Sequence, residues 1–205
     1  MLNQDLSLTQ WYTLRNLSGG MHGVDPNDPT QLANPVDCTV RPRLVTLNPG
    51  QHVYRWVDSD AVGSMNEDKA CGAWWSTKRG AMEILNLHEA LGHRSTEDAA
   101  RVVSNIAKSF SKKLDQVVCA RVVQPVRCFL GVGLAVTEDD EFGGGTWDSR
   151  ARQLYIPHLG EKDEARGVWT MTAAAREHMQ VAWVKSASIF AREDWNAEME
   201  RQHSA

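Results

Sequence analysis

Two β-branched runs close together, "DQVVCARVV" and "VRCFLGVGLAV", constrain this chain more than any other feature. Valine packs well on a pleated surface and loses side-chain freedom in a helix, so both runs predict strands. "QHVYRWVDS", from Gln51, alternates apolar and polar residues and predicts a further strand. "RQLYIP", ending at Pro157, predicts another.

The helical signals are of a different kind. In "STEDAARVVSNIAKSFSKKLDQ", Val102, Val103, Ile106, Phe110 and Leu114 form one apolar stripe. Ser95 can cap this helix, with Glu97 and Asp98 in the positive first turn and Lys112 and Lys113 in the negative last turn. Before it, "GAWWSTKRGAMEILNLHEAL" opens on a glycine and two tryptophans, then takes a helical pattern at Met82, Ile84, Leu85 and Leu87. The C-terminal third, "TAAAREHMQVAWVKSASIFAREDWNAEMERQ", is helical in composition. The order strand, helix, helix, strands, terminal helices predicts an α+β fold, not alternating βαβ units.

Residues 1–50 are crowded with Gly, Pro, Asn and Asp in "SGGMHGVDPNDPTQLANPVD" and predict an irregular N-terminal arm. Residues 51–205 are then a single domain, which a chain of 205 residues readily accommodates.

Several function classes are disfavoured. The formal net charge of −4 gives no basic face for nucleic acid. No apolar run approaches the ~18 residues of a membrane span, and "MLNQDLSLTQ" has neither the basic nor the apolar region of a signal peptide. These features predict a soluble chain with no membrane partner, working in the cytoplasm or delivered into the cytosol of a target cell. Cys38, Cys71, Cys119 and Cys128 form no C-x-x-C pair and read as buried free thiols. His52, His88, His93, His158 and His178 make no H-E-x-x-H or H-x-x-x-H pair, so no metal site is expected. No G-x-S-x-G, Walker A or G-x-G-x-x-G is present, and the G-x-G of "LGVGLAV" lies inside a predicted strand.

Three separated pieces carry the chemistry: Tyr54-Arg55 on a strand, Gly72-Ala73-Trp74-Trp75-Ser76-Thr77 before a helix, and Gln153 to Pro157 after a glycine loop. An arginine's planar fork can hold pyrophosphate or ribose oxygens through paired, charge-assisted bonds, or it can form a surface salt bridge. Trp74 or Trp75 offers a face for stacking, or one of them is buried in a core strand. The order of the three pieces resembles the ADP-ribosyltransferase superfamily of NAD-consuming enzymes, over roughly Val53 to Pro157. The resemblance implies a split β-sheet core with flanking helices and NAD as substrate. It also implies that Tyr54, Arg55, Gly72, Trp74, Trp75, Ser76 and Thr77 bind NAD, with Arg55 on phosphate or ribose and Ser76 and Thr77 near the nicotinamide ribose.

The late strand departs from the transferase pattern, which has Glu-x-Glu or Gln-x-Glu where this chain has Ala151-Arg152-Gln153. A glycine loop followed by Gln and an apolar strand is similar to the necrotizing-toxin NAD glycohydrolases, with the RES-domain NAD-degrading toxins as further relatives. The resemblance thus implies cleavage of the nicotinamide–ribose bond, with Arg55 and Gln153 catalytic and ADP-ribose passing to water or to a protein acceptor. In "TEDDE", Asp139, Asp140 or Glu141 could supply the missing negative charge, Glu141 being the nearest to the strand, or the segment is a solvated hairpin tip. The missing glutamate also fits a non-enzymatic member of the scaffold that binds a protein partner.

Overall fold

The computed structural model describes residues 1–7, 43–60, 65–92, 95–106, 108, 111–133, 136–137, 145–147, 149 and 151–192. Its centre is a seven-stranded antiparallel sheet. In chain order the strands are β1 (Arg43–Leu47), β2 (His52–Val57), β3 (Trp74–Ser76), β4 (Gln116–Val122), β5 (Val126–Val132), β8 (Arg152–Tyr155) and β11 (Met179–Ser186). Across the sheet they lie in the order β1-β5-β8-β3-β2-β4-β11. The other strands among the described residues form two small ribbons: β6 (Val136–Thr137) with β7 (Thr146–Trp147), and β9 (Gly160–Asp163) with β10 (Val168–Met171). The α+β reading of the sequence holds.

The sheet is joined unevenly. β2 pairs with β4 over six residues, but with β3 only at Tyr54↔Ser76. Three-residue β3 therefore links two larger halves through one residue pair.

Because side chains alternate across a strand, the register sorts residues by face. Tyr54, Ser76, Gln153 and Gly131 are successive partners on β2, β3, β8 and β5, so the side chains of the first three share one face. Arg55 and Trp75, each one residue along, occupy the other. The first face is covered by α2 (Lys78–Ala90), α3 (Thr96–Ser104) and α5 (Ala187–Arg192), whose Ala81, Ile84, Ala99, Ala100, Val103 and Phe190 pack on Tyr54, Trp56 and Cys119. The second face carries α1 (Asn66–Ala70), α4 (Ala173–His178) and the β9–β10 ribbon, which bury Val53, Trp75, Val118 and Leu154 with Leu159, Met171 and Ala175.

Local chemistry sets several boundaries. Thr77 Oγ1 accepts from Gly80 N at 3.2 Å and caps α2, and Ser95 Oγ accepts from Asp98 N at 3.0 Å and caps α3 as expected. The expected long helix stops early, however. α3 ends at Ser104, Asn105 takes a left-handed conformation at φ +49°, and Ile106 N donates back to Arg101 O at 3.0 Å. Lys112 and Lys113 therefore cap no helix. Their backbone N–H groups, with that of Leu114 and the Ser111 hydroxyl, donate to the carboxylate of Asp58 at 2.6–2.9 Å. Val102, expected in the apolar stripe, is exposed.

The C-terminal third is corrected too. Its described residues, which end at Arg192, hold short α4, then eight-residue β11, then α5. β11 pairs with β4 from Met179 to Ser186, with a bulge at Ala182, and this non-local pairing overrides a composition that reads as helix. At the other end of the chain, β1 pairs with β5 and Leu2 bridges Val126, so parts of the predicted irregular arm belong to the sheet. Cys119 and Cys128 are buried, Cys71 is half-buried, and none of the three forms a disulfide among the described residues, while Cys38 lies outside them.

Candidate functional site

The three sequence pieces, up to a hundred residues apart, converge on adjacent strands β2, β3 and β8. Arg55 comes from β2, which a wall of β-branched and aromatic neighbours holds in place on both faces. Its guanidinium reaches toward the start of β3, where Nη1 donates to Trp74 O at 3.3 Å. Nε is buried with no hydrogen-bond partner, and no ion pair to Arg55 is formed among the described residues. Burial pulls its pKa down from the ordinary arginine value, and only the nearby Cys71 acts the other way. Among the described residues this half-buried cation makes one long hydrogen bond and meets no counter-charge, an arrangement that an anion would relieve.

Gly72 allows this placement. A Cβ there would fall 1.7 Å from Arg55 Nη1 and 2.0 Å from Cζ, so the guanidinium lies in the space a side chain would take. On its other side the same loop is pressed by Gly160 of β9, where a Cβ would meet Cys71 O at 2.6 Å. Burial raises the Cys71 thiol pKa, with Arg55 opposing, and its Sγ donates to Asp68 O at 3.0 Å.

Ser76 and Gln153 are paired in register on β3 and β8, and both are buried. Gln153 Nε2 donates to Ser104 O at 2.8 Å, at the end of α3. Gly80, in the first turn of α2, packs with its α-carbon toward Ser76 and Arg152 O. Thr77 is engaged as the α2 cap, so its hydroxyl holds backbone rather than facing open space.

Two of the expected ligand contacts are corrected. Trp75 is 2% exposed, and its Nε1 donates to Gly72 O at 2.7 Å. A ring so enclosed offers no face for stacking, so Trp75 is a core residue that also braces the Gly72 loop. Tyr54 is wholly buried against Trp183 and Phe190, at centroid distances of 6.2 Å to each, and is likewise a core side chain. Trp74, half-buried and edge-on to Tyr155 at 5.0 Å, is the tryptophan that keeps exposed surface. Arg55 and Gln153 point from opposite faces of the sheet. Glu141, Asp139 and Asp140 lie outside the described residues.

Sequence reasoning missed the supporting residues: Gly160 behind the Cys71-Gly72 loop, and Ser104, Asn105, Gly133 and Ser149 around Gln153. One signal was available, since an asparagine in mid-helix favours a left-handed helix end. Among the described residues, no group of three or more His, Cys, Asp and Glu could hold a metal ion, and no helix is long and apolar enough to cross a membrane. A cavity of about 510 Å³ lies elsewhere, between Met1–Leu6 and His158, Ala174 and His178, and none of the expected site residues lines it.

The site thus belongs to an α+β protein built on one unevenly joined antiparallel sheet. No protein-family model matches the chain, and no curated protein does. Among solved structures it is similar to Rhs1-CT in complex with its cognate immunity protein RhsI1, at 12% identity and TM-score 0.33, over 64% of this chain and 76% of that one. It is similar to Tne2 in complex with Tni2 at 10% identity and TM-score 0.38, over 69% and 92% of the two chains. It is also similar to Tse6 in complex with Tsi6 at 17% identity and TM-score 0.29, over 73% and 84%.

Proposed function

We propose that this chain is an NAD-consuming enzyme of the ADP-ribosyltransferase type, cleaving the nicotinamide–ribose bond and passing ADP-ribose to water or to a target side chain. The observation that carries the reading is Arg55: a half-buried guanidinium without a counter-charge among the described residues, held in a glycine-cleared space beside the strand that bears Ser76 and next-but-one to the strand that bears Gln153. A pyrophosphate supplies the charge and the paired oxygens that such a fork binds.

In this reading Arg55 holds phosphate, Ser76 contacts the nicotinamide ribose, and Trp74 offers the ring for stacking. Gln153 accepts from a ribose hydroxyl through Oε1, its amide nitrogen being committed to Ser104. β2 and β3 share one residue pair, and a ligand held by both Arg55 and Gln153 has to lie where those strands part. Bond cleavage leaves positive charge on the ribose, and a carbonyl oxygen aimed at it stabilises the transition state more than the ground state.

One observation favours a second reading, a protein-binding member without activity: Gln153 is neutral, buried and already hydrogen-bonded within the fold. Incubating the purified protein with NAD and measuring nicotinamide and ADP-ribose separates the two. The enzyme reading expects both products in equal amounts when water is the acceptor. Absence of nicotinamide release at any protein concentration removes it.

A further inference from the structure

We propose that Asn105 is a positioning residue that fixes the Gln153 side chain with its carbonyl oxygen as the free acceptor; the catalytic consequence rests on the function proposed above. The last carbonyls of a helix have no partner within it. At the end of α3 the Ser104 carbonyl takes its hydrogen bond from Gln153 Nε2 at 2.8 Å. An amide is planar, so committing its nitrogen to Ser104 turns Oε1 the other way. Gly133 leaves room for this arrangement, since a Cβ there would come within 2.6 Å of Gln153 Nε2.

Asn105 holds every part of this geometry. Its left-handed backbone at φ +49° ends α3 directly after Ser104 and so aims the Ser104 carbonyl. Its Nδ2 donates to Gly133 O at 3.3 Å and to Ser149 O at 3.2 Å, while its Oδ1 accepts from Ser149 N at 2.9 Å. Gly133 follows β5, the strand that pairs with Gln153 at Gly131, and Ser149 lies just before β8. One buried amide therefore ties together the three segments that surround Gln153. Both its donors are used, and asparagine is among the few residues that combine such an amide with a tolerated left-handed backbone.

The orientation matters because the two ends of an amide carry opposite partial charges. Beside a ribose that gains positive charge, Oε1 stabilises and the NH₂ group opposes. A glutamine free to rotate would offer the wrong end part of the time. Asn105 thereby lets a neutral residue act where related enzymes use a carboxylate.

The test compares Asn105→Gly, which keeps the left-handed backbone and deletes the amide, with Asn105→Asp, which keeps only the acceptor for Ser149 N. Two quantities are read: steady-state NAD turnover, and protection of the Gln153 side-chain NH₂ from exchange by NMR. Asn105→Gly should lower the turnover number by about ten- to a hundredfold with the Michaelis constant within about twofold, as expected for misorientation of a bound reactant's partner. The Gln153 NH₂ should lose its protection while unfolding stays cooperative. Asn105→Asp should show the same changes to a smaller degree, and it carries the measurement alone if the glycine variant does not fold. Retained NH₂ protection in the variants overturns the proposal, whatever the turnover does. A wild-type protein that releases no nicotinamide overturns the enzyme reading instead, and NH₂ protection still decides the role of Asn105.

Discussion

Gly72 and Arg55 occupy one another's space: a Cβ on residue 72 would stand 1.7 Å from Arg55 Nη1. The atom displaced by a methyl group there is the far end of a flexible side chain, so the backbone need not move. Gly72→Ala should therefore leave the protein folded, with the melting temperature lowered by only a few degrees, roughly what ~1 kcal/mol does in a domain of this size. It should raise the Michaelis constant for NAD about tenfold or more, because the guanidinium leaves its place. Arg55→Ala should match it in activity. A Gly72→Ala protein with wild-type NAD affinity would show that the placement of Arg55 is irrelevant to the ligand.

Trp75 makes the opposite prediction. Its indole is in the core beneath the sheet and bonds to Gly72 O, so removing it leaves a large void and an unpaired carbonyl. Trp75→Ala should cost ~3–5 kcal/mol in denaturant unfolding, the range for a large aromatic lost from a core. Trp74→Ala, at a half-buried position, should cost less and weaken NAD binding more. Equal stability losses for the two would contradict their different placement.

Asp58 gives a pH dependence. Its carboxylate is buried, which acts to raise its pKa, but bonds from Leu114 N, Ser111 Oγ, Lys112 N and Lys113 N outweigh burial and hold the pKa below the ordinary aspartate value. A depressed folded-state pKa means a stabilising contribution fully present above the unfolded value of about 3.9 and lost as pH falls through the folded pKa. Asp58→Ala should be less stable than wild type by ~1–3 kcal/mol at pH 7, the cost of leaving such donors unpaired. The difference should narrow at pH 3. Urea unfolding of both proteins at pH 7, 5 and 3 checks this, and a gap that stays constant across that range would assign Asp58 a role independent of its charge.

The same aspartate illustrates what the sequence could and could not disclose. β2, β4, β5 and β8 were legible because alternation and β-branching are local signals, and so was the Ser95 cap, which precedes a recognisable helical pattern; the Thr77 cap was not, its place in a candidate binding motif drawing the other reading. The end of the helix predicted after Ser95 was not legible either, because its apolar spacing is helical while the backbone donors of Lys112, Lys113 and Leu114 are claimed by Asp58, far earlier in the chain. β11 was hidden for a related reason: its partner β4 is distant in sequence, and alanine, glutamine and methionine around it read as helix. At the site, the residue types in the three motifs were legible, but the face each occupies depends on register. Strand alternation placed Tyr54 and Trp75 in the core, and only the pairing of β2, β3 and β8 revealed it.

Register also sharpens what should happen at Gln153. If the proposed function holds, Gln153→Ala removes the oxygen that would face the ribose and leaves Ser104 O without its donor, so the turnover number should fall far more than the Michaelis constant rises. Gln153→Glu is the more telling variant. It introduces the carboxylate of the transferase pattern that the sequence resembles, but places an oxygen against the Ser104 carbonyl, where Gln153 Nε2 now donates at 2.8 Å. Two acceptors at that distance repel, and the carboxylate must either swing away or take up a proton to donate. Gln153→Glu should therefore be less active than wild type near neutral pH and recover as pH falls toward the raised pKa of the new carboxyl, as a protonated acid regains the bond to Ser104. A pH profile of nicotinamide release for the two proteins decides the matter. A Glu variant at least as active as wild type throughout would mean that the bond to Ser104 is dispensable and that charge alone is what position 153 contributes.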